Sequence, residues 1–240
     1  MQLWIGTSGY QYPEWKGSFY PEKLSASKML SFYAEQFATT EINYSFRQIP
    51  SAKAIQNWAG STPPRFKFSF KAPQKVTHFA RLRNCADTLI FFGSVIFELG
   101  DKLGAVLFQL PPGFKSDAPL LRAFLRDLPT KMRAAFEFRH ASWFSDETFN
   151  VLREHNTALC IAETEEFATP AVQTADFGYL RLRRLDYSPA GIRRWAEFVQ
   201  SQNRNWRDAL IYFKHEETCV GPKFASQMSK ALQSLSKAAC

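Results

Sequence analysis

Cysteine and histidine are scarce, four of each in 240 residues. Cys85, Cys160, Cys219 and Cys240 lie far apart and form no C-x-x-C pair, which argues against a zinc ribbon or a thioredoxin-type centre. So sparse a set fits a reduced, intracellular chain, and Cys160, inside an apolar run, reads as a core residue. His78, His140, His155 and His215 form no H-x-x-x-H or H-E-x-x-H pattern, so a histidine-rich multinuclear metal centre is not expected. Long apolar runs are missing too. The most apolar stretch, Leu89 to Leu99, is broken by Gly93, Ser94 and Glu98 and is far short of the roughly 20 residues that span a bilayer. The opening Met1 to Gly6 has no basic, apolar or cleavage-site segment of the secretory kind; a cytoplasmic location without a membrane partner is the expectation. Neither a P-loop nor a G-x-S-x-G elbow occurs, and no G-x-G-x-x-G follows a strand, since Gly6-Thr7-Ser8-Gly9 lacks the spacing.

What is present is alternation. Short apolar runs at Leu3–Thr7, Thr39–Tyr44, Arg65–Lys71, Ala105–Leu110, Ala134–Arg139, Ala158–Glu163, Tyr179–Arg183 and Ala209–Phe213 read as eight strands. Helix-period segments separate them. Ser25 or Ser27, Ser51, Ser145 and Pro189 are the expected helix starts, and His155 is expected mid-helix. The repeat implies eight strand–helix units of about 30 residues, a single (β/α)8 TIM barrel in one domain over residues 1–240. An open doubly wound sheet is the alternative.

Several strands are striped where a barrel strand, covered on both faces, would be apolar throughout. Phe66, Phe68 and Phe70 alternate with Lys67, Ser69 and Lys71; Phe136 and Phe138 with Glu137 and Arg139; Leu180 and Leu182 with Tyr179, Arg181 and Arg183; Ile42 and Tyr44 with Glu41 and Asn43. The apolar members should face the helices and the polar members the lumen. Five cations (Lys67, Lys71, Arg139, Arg181, Arg183) would then meet two carboxylates, Glu41 and Glu137. Either Glu163 and other groups complete the pairing, or the surplus cations sit at the strand C-termini, where water or an anionic ligand reaches them.

The candidate catalytic residues are Glu41, Glu137 and Lys71. The two carboxylates act either in proton transfer or as counter-ions of Lys67 and Arg181. Lys71 is a Schiff-base lysine, an anion-binding lysine or a snorkelling surface one. Candidate ligand-binding residues are Ser8, Asn43, His78, Gln109, Arg139, His140, Trp143, Arg181 and Arg183. Arg139, His140 and Trp143 share one tight loop that either holds a phosphate beside a flat ring or only packs. Gln109 precedes Pro111-Pro112, which should aim its amide at the mouth. The basic segment Ala72 to Asn84, with Lys75, Arg81 and Arg83, is either a lid that tracks phosphates or a solvated loop. Trp15, Phe19 and Tyr20 form either a stacking platform or a plug over the barrel. No cofactor is expected; a single divalent ion on Glu137, Glu163 and His215 is the alternative. A surplus of Lys and Arg, 30 against 22 Asp and Glu, favours an anionic small molecule or nucleic acid as partner. Oligomeric state is not legible.

Ordered motifs carry a resemblance. Gly6-Thr-Ser-Gly-Tyr10, Trp15-Lys-Gly17, Phe19-Tyr-Pro21, Thr40-Glu-Ile-Asn43, Phe66-Lys-Phe-Ser-Phe-Lys71, Thr77-His78, Leu107-Phe-Gln-Leu-Pro-Pro112 and Glu137-Phe-Arg-His140 with Trp143 resemble the YecE-like family, a domain of unknown function. The resemblance implies a TIM barrel, akin at fold level to the xylose isomerase and endonuclease IV barrels. Two departures from the family pattern fall at the expected mouth. A Tyr-x-Arg-x-His-Gly segment gives way to Tyr179-Leu-Arg-Leu-Arg183-Arg184, and paired asparagines give way to Phe213-Lys214-His215-Glu216. Both make the mouth more basic. The expected role is binding, and acting on, a phosphate-bearing ligand (a sugar phosphate or a nucleic-acid end) at the C-terminal barrel face, as a hydrolase, lyase or isomerase. Non-catalytic nucleic-acid binding through the basic surface is the alternative, and a purely structural barrel is a third.

Overall fold

In the computed structural model, which describes residues 1–214 and 219–238, eight parallel strands close on themselves in sequence order. They are β1 (Gln2–Ser8), β2 (Thr39–Ile42), β3 (Lys67–Lys71), β4 (Leu103–Gln109), β5 (Ala134–Glu137), β6 (Ala158–Glu163), β7 (Phe177–Leu182) and β8 (Asp208–Phe213). Closure comes from β1, which pairs with β2 on one side and with β8 on the other over six positions, Gln2 to Thr7. Gly6 sits opposite Thr39 at the tightest point, where a Cβ would stand 1.9 Å from the Thr39 carbonyl oxygen.

The outer layer is α1 (Met29–Gln36), α2 (Ala52–Gly60), α3 (Ala86–Ile96), α4 (Ala118–Arg126), α5 (Asp146–Glu154), α6 (Pro189–Ser201) and α7 (Val220–Ala238). Ser51, Ser145 and Ser188 cap α2, α5 and α6, each hydroxyl accepting a backbone N–H three residues on, and Asp117 does the same for α4. Neither Ser25 nor Ser27 caps α1: the two hydroxyls bond each other, and a 3-10 turn over Ala26–Lys28 leads into the helix. His155 lies just beyond the end of α5 rather than within a helix.

Eight strand–helix units is one helix too many for the described residues. The link from β6 to β7, residues 164–176, has no helix. It offers no 3.6-period apolar stripe and contains Pro170, so nothing there nucleates one. The link is instead tied down by hydrogen bonds, Thr169 N–H to the Ala162 carbonyl (2.8 Å) and Thr174 Oγ1 accepting the Leu159 N–H (2.7 Å). Strand β2 also ends early: the chain turns into a 3-10 segment at Tyr44–Phe46, so Tyr44 does not face a helix but is 54% exposed.

The striped strands face as their alternation requires. Phe68 stacks on Trp58 of α2 and Phe70 meets Phe92 of α3 edge-on. Inside, small residues of β4, β5 and β6 (Ala105, Ala135, Ala158, Ala162) pack with Leu107, Cys160, Tyr179 and Tyr212. Large rings from one side of the lumen thus fill the space that alanines leave on the other, and polar groups lie above them. No helix among the described residues is long and apolar enough to cross a membrane.

Candidate functional site

The inner faces of β1, β2, β4, β5 and β7 converge on Arg181, which is 2% exposed. Its Nη2 donates to Glu41 Oε1 (2.9 Å) and its Nη1 donates to Glu137 Oε2. Glu41 is then completed by neutral donors, Glu137 by one neutral and one charged donor. Glu41 accepts from the Ser8 hydroxyl at Oε1 and from the Tyr179 hydroxyl at Oε2 (2.6 Å). Glu137 Oε1 accepts from Gln109 Nε2 (2.6 Å) and from Arg139 Nε (3.2 Å), and Arg183 Nη1 stands 3.9 Å away. Asn43 donates to Ser8 Oγ (2.8 Å). Two buried carboxylates thus share one buried guanidinium and leave few acceptor positions unused.

The electrostatics follow from burial. Burial alone would push the Glu137 carboxyl up, but Arg181 and Arg139 overcome it and hold the group at about 2. A carboxyl held that low carries no proton at neutral pH and is a weak base. Burial disfavours the charged form of Arg181, yet Glu41 and Glu137 more than compensate and raise it well above its ordinary value. Burial, then Arg181, lower Arg183.

Above this cage the lumen is cationic. Lys71, at the end of β3, lies with its Nζ 4.0 Å from the centre of the Phe46 ring, and burial followed by the field of Arg181 lowers it to about 8. The side chains of Arg139 and Arg183 are 34% and 22% exposed, so solvent reaches both. His78, in the π-helical turn Lys75–Phe79 after β3, meets Phe46 edge-on (4.9 Å) and is lowered by burial, Lys71 and Arg139.

Of the residues predicted from sequence, Ser8, Glu41, Asn43, Gln109, Glu137 and Arg181 form the cage, while Lys71, His78, Arg139 and Arg183 lie at its rim. Three do not belong with them. Trp143 is wholly buried, stacked on Phe138 (4.6 Å, 7°) and donating to the Phe114 carbonyl (2.7 Å), so its indole has no face left for a ligand. His140 Nδ1 accepts the Ser142 N–H (3.1 Å), closing the loop. Lys67 shares the inner face of β3 but lies at the opposite end, over Trp4 and bonded to the Asp101 carbonyl, so it is no partner of Glu41. Glu163 neutralises no lumen cation either: it faces outward and accepts from Tyr187 (2.6 Å) and Trp195 (2.9 Å). Glu137 and Glu163 are directed apart, and His215, the third residue of the suggested ion site, lies outside the described residues; no cluster of three or more His, Cys, Asp or Glu among the described residues suits a metal. Trp15 and Tyr20 are buried with Phe19 among the rings of α1 and so offer no stacking platform. Gln109 donates to Glu137 below the rim and is 3% exposed.

Sequence reasoning missed Tyr212 and Phe46. It put Tyr179 on the lumen face with Arg181 but did not draw its hydrogen bond to Glu41. Tyr212, which donates to Ser69 Oγ (2.8 Å), lies in a strand apolar throughout that shows no stripe. Phe46 depends on the 3-10 turn that cuts β2 short.

Comparison with known proteins gives one consistent family. The profile described as "Protein of unknown function DUF72" matches residues 4–239. The UPF0759 protein YecE of Escherichia coli is 29% identical over 144 residues, 60% of this chain and 50% of its own length, so the match spans about half of that relative. The UPF0759 protein YunF of Bacillus subtilis is 26% identical over 90% of this chain and 79% of its own. Among solved structures, a DUF72 family protein of Thermotoga maritima superposes with a TM-score of 0.87 at 26% identity, covering 97% of this chain and 100% of that one. A DUF72 protein of Enterococcus faecalis, 17% identical, covers 97% of this chain and 98% of its own at a TM-score of 0.76 and shares the fold.

Proposed function

The chain belongs to the DUF72 family of barrel proteins, and from that premise we propose that it binds a phosphate-bearing small molecule at the C-terminal mouth, gripped by Arg139 and Arg183 with Lys71 as a third, titratable cation. One observation carries the reading: three arginines, Arg139, Arg181 and Arg183, converge on Glu137 with Lys71 close by, and the two part-exposed arginines are less fully paired than Arg181, which also holds Glu41. Guanidinium forks suit phosphate oxygens. Glu137 acts as a fixed anion that aims Arg139, not as a proton carrier, because Arg181 and Arg139 hold it ionised. Any proton transfer falls to Lys71, which is lowered to about 8, or to His78, which its lowered value keeps as a neutral imidazole able to accept a proton. Turnover as a hydrolase, lyase or isomerase is the extension of this reading.

The test is thermal unfolding with inorganic phosphate against sodium chloride at matched ionic strength. A ligand at 100 times its dissociation constant stabilises the native state by about 2.7 kcal/mol. The midpoint should rise with phosphate in the wild type and stay put in the Arg139→Met/Arg183→Met double variant. Equal midpoints in phosphate and chloride defeat the reading.

A second reading has its own support. Phe79 (73% exposed) and Tyr44 (54% exposed) lie in the segments that follow β3 and β2, the former beside Lys75, Arg81 over Phe114 and Arg83 paired with Asp117, a mixture of rings and cations suited to single-stranded nucleic acid. Binding of a short oligonucleotide should then weaken steeply with salt; affinity that does not change with salt removes it.

A further inference from the structure

Lys71 differs from the other three mouth cations. Among the described residues no carboxylate oxygen lies within ion-pair distance of its Nζ, whereas Arg139, Arg181 and Arg183 all approach Glu137. Its neighbour is instead the face of Phe46, which is packed in turn against His78. The amine therefore stands at a strand end, against an apolar wall, beside like charge. Those are the conditions under which a lysine becomes a nucleophile.

We propose that Lys71 forms a Schiff base with the carbonyl carbon of a small phosphorylated aldehyde or ketone whose phosphate is held by Arg139 and Arg183. The inference rests on the phosphate reading above and names the substrate class. In the step, the neutral amine adds to the carbonyl carbon and a C–N bond forms. The carbonyl oxygen, with the two amine hydrogens, leaves as water. The imine nitrogen takes one proton from solvent at the open mouth, so no oxidant, reductant or further reactant is needed. Burial, with the fields of Arg181 and Arg139 and against those of Glu41 and Glu137, brings Lys71 to about 8, so about one molecule in ten presents the free amine at pH 7. The Phe46 face works the other way and favours the ammonium form modestly. Two guanidiniums offset the charge of the phosphate, so binding it returns little net negative field to the amine.

The experiment traps the adduct. The full chain is incubated at pH 7 with sodium cyanoborohydride and either glyceraldehyde 3-phosphate or glyceraldehyde, and the product is weighed and peptide-mapped. One adduct at Lys71 is expected, forming at least tenfold faster with the phosphorylated aldehyde and suppressed by inorganic phosphate. Lys71→Arg should remove it. Arg139→Met/Arg183→Met should slow it to the glyceraldehyde rate while leaving it on Lys71. In the wild type the trapping rate at Lys71 should rise with a midpoint near pH 8, a readout that needs no variant to fold. Adducts spread evenly over surface lysines, or an unchanged rate in Lys71→Arg, would overturn the proposal. Phosphate stabilisation that depends on both arginines, without any Lys71 adduct, would overturn the Schiff base and leave the anion site standing. Equal rates with the two aldehydes would overturn the phosphorylated substrate class.

Discussion

Replacing Arg181 with Met keeps most of the side-chain volume and deletes the charge. In the wild type the guanidinium lies 2.9 Å from Glu41 and in direct contact with Glu137, all three groups being 2% exposed or less. At an effective dielectric of about 20, one such contact is worth about 6 kcal/mol of gross attraction. Desolvating the ions consumes much of that, yet removing one partner leaves the others buried and uncompensated, at about 3–5 kcal/mol. Against a typical total of about 5–15 kcal/mol this is a large fraction. The thermal midpoint should fall by on the order of 10 °C in a chain of this size. The decisive assay is a cycle: urea unfolding of the wild type, Arg181→Met, Glu137→Gln and the double variant. Because each single change strands its partner, the double should cost less than the sum by about 2 kcal/mol. Adding Glu41→Gln should recover more and supplies a folded reference should Arg181→Met fail to accumulate. Additivity to within about 0.5 kcal/mol would refute the cage as a coupled unit.

Acid unfolding should carry the signature of Glu137. Its folded value of about 2 lies below the ordinary 4.5, so its contribution is complete above pH 4.5 and is lost as pH falls towards 2. The shift corresponds to about 3 kcal/mol, and Glu137→Gln should flatten that limb of a stability-versus-pH curve. Trp143→Phe should cost about 1–3 kcal/mol by leaving the buried Phe114 carbonyl unpaired, without moving the phosphate-induced shift in midpoint; loss of that shift would return Trp143 to the ligand site. Gly6→Ala should lower stability in urea by about 3 kcal/mol or more, because its Cβ meets the Thr39 carbonyl. A neutral outcome would mean that the β1–β2 pairing yields more easily than its geometry suggests.

The fold was legible because barrel strands are short and their two faces demand different chemistry. The stripes at Phe66–Lys71 and Tyr179–Arg183 reported direction, and that alone brought Glu41, Glu137 and Arg181 together. Direction is not depth, however: Lys67 and Lys71 share a face yet sit at opposite ends of the lumen. Nor does residue type report orientation in a loop. Trp143 reads equally well as a stacking ring or an anchor, and the Phe114 carbonyl decides. The absent helix between β6 and β7 was visible as a lack of periodicity at residues 164–176, overridden by the regularity of the other units.

The cage ties together β2, β5 and β7, no two of which are neighbours in the sheet. Such a cross-brace has nothing to span until β2, β5 and β7 have come together, so Arg181→Met is expected to speed unfolding more than it slows folding, an outcome the two arms of a urea chevron would report.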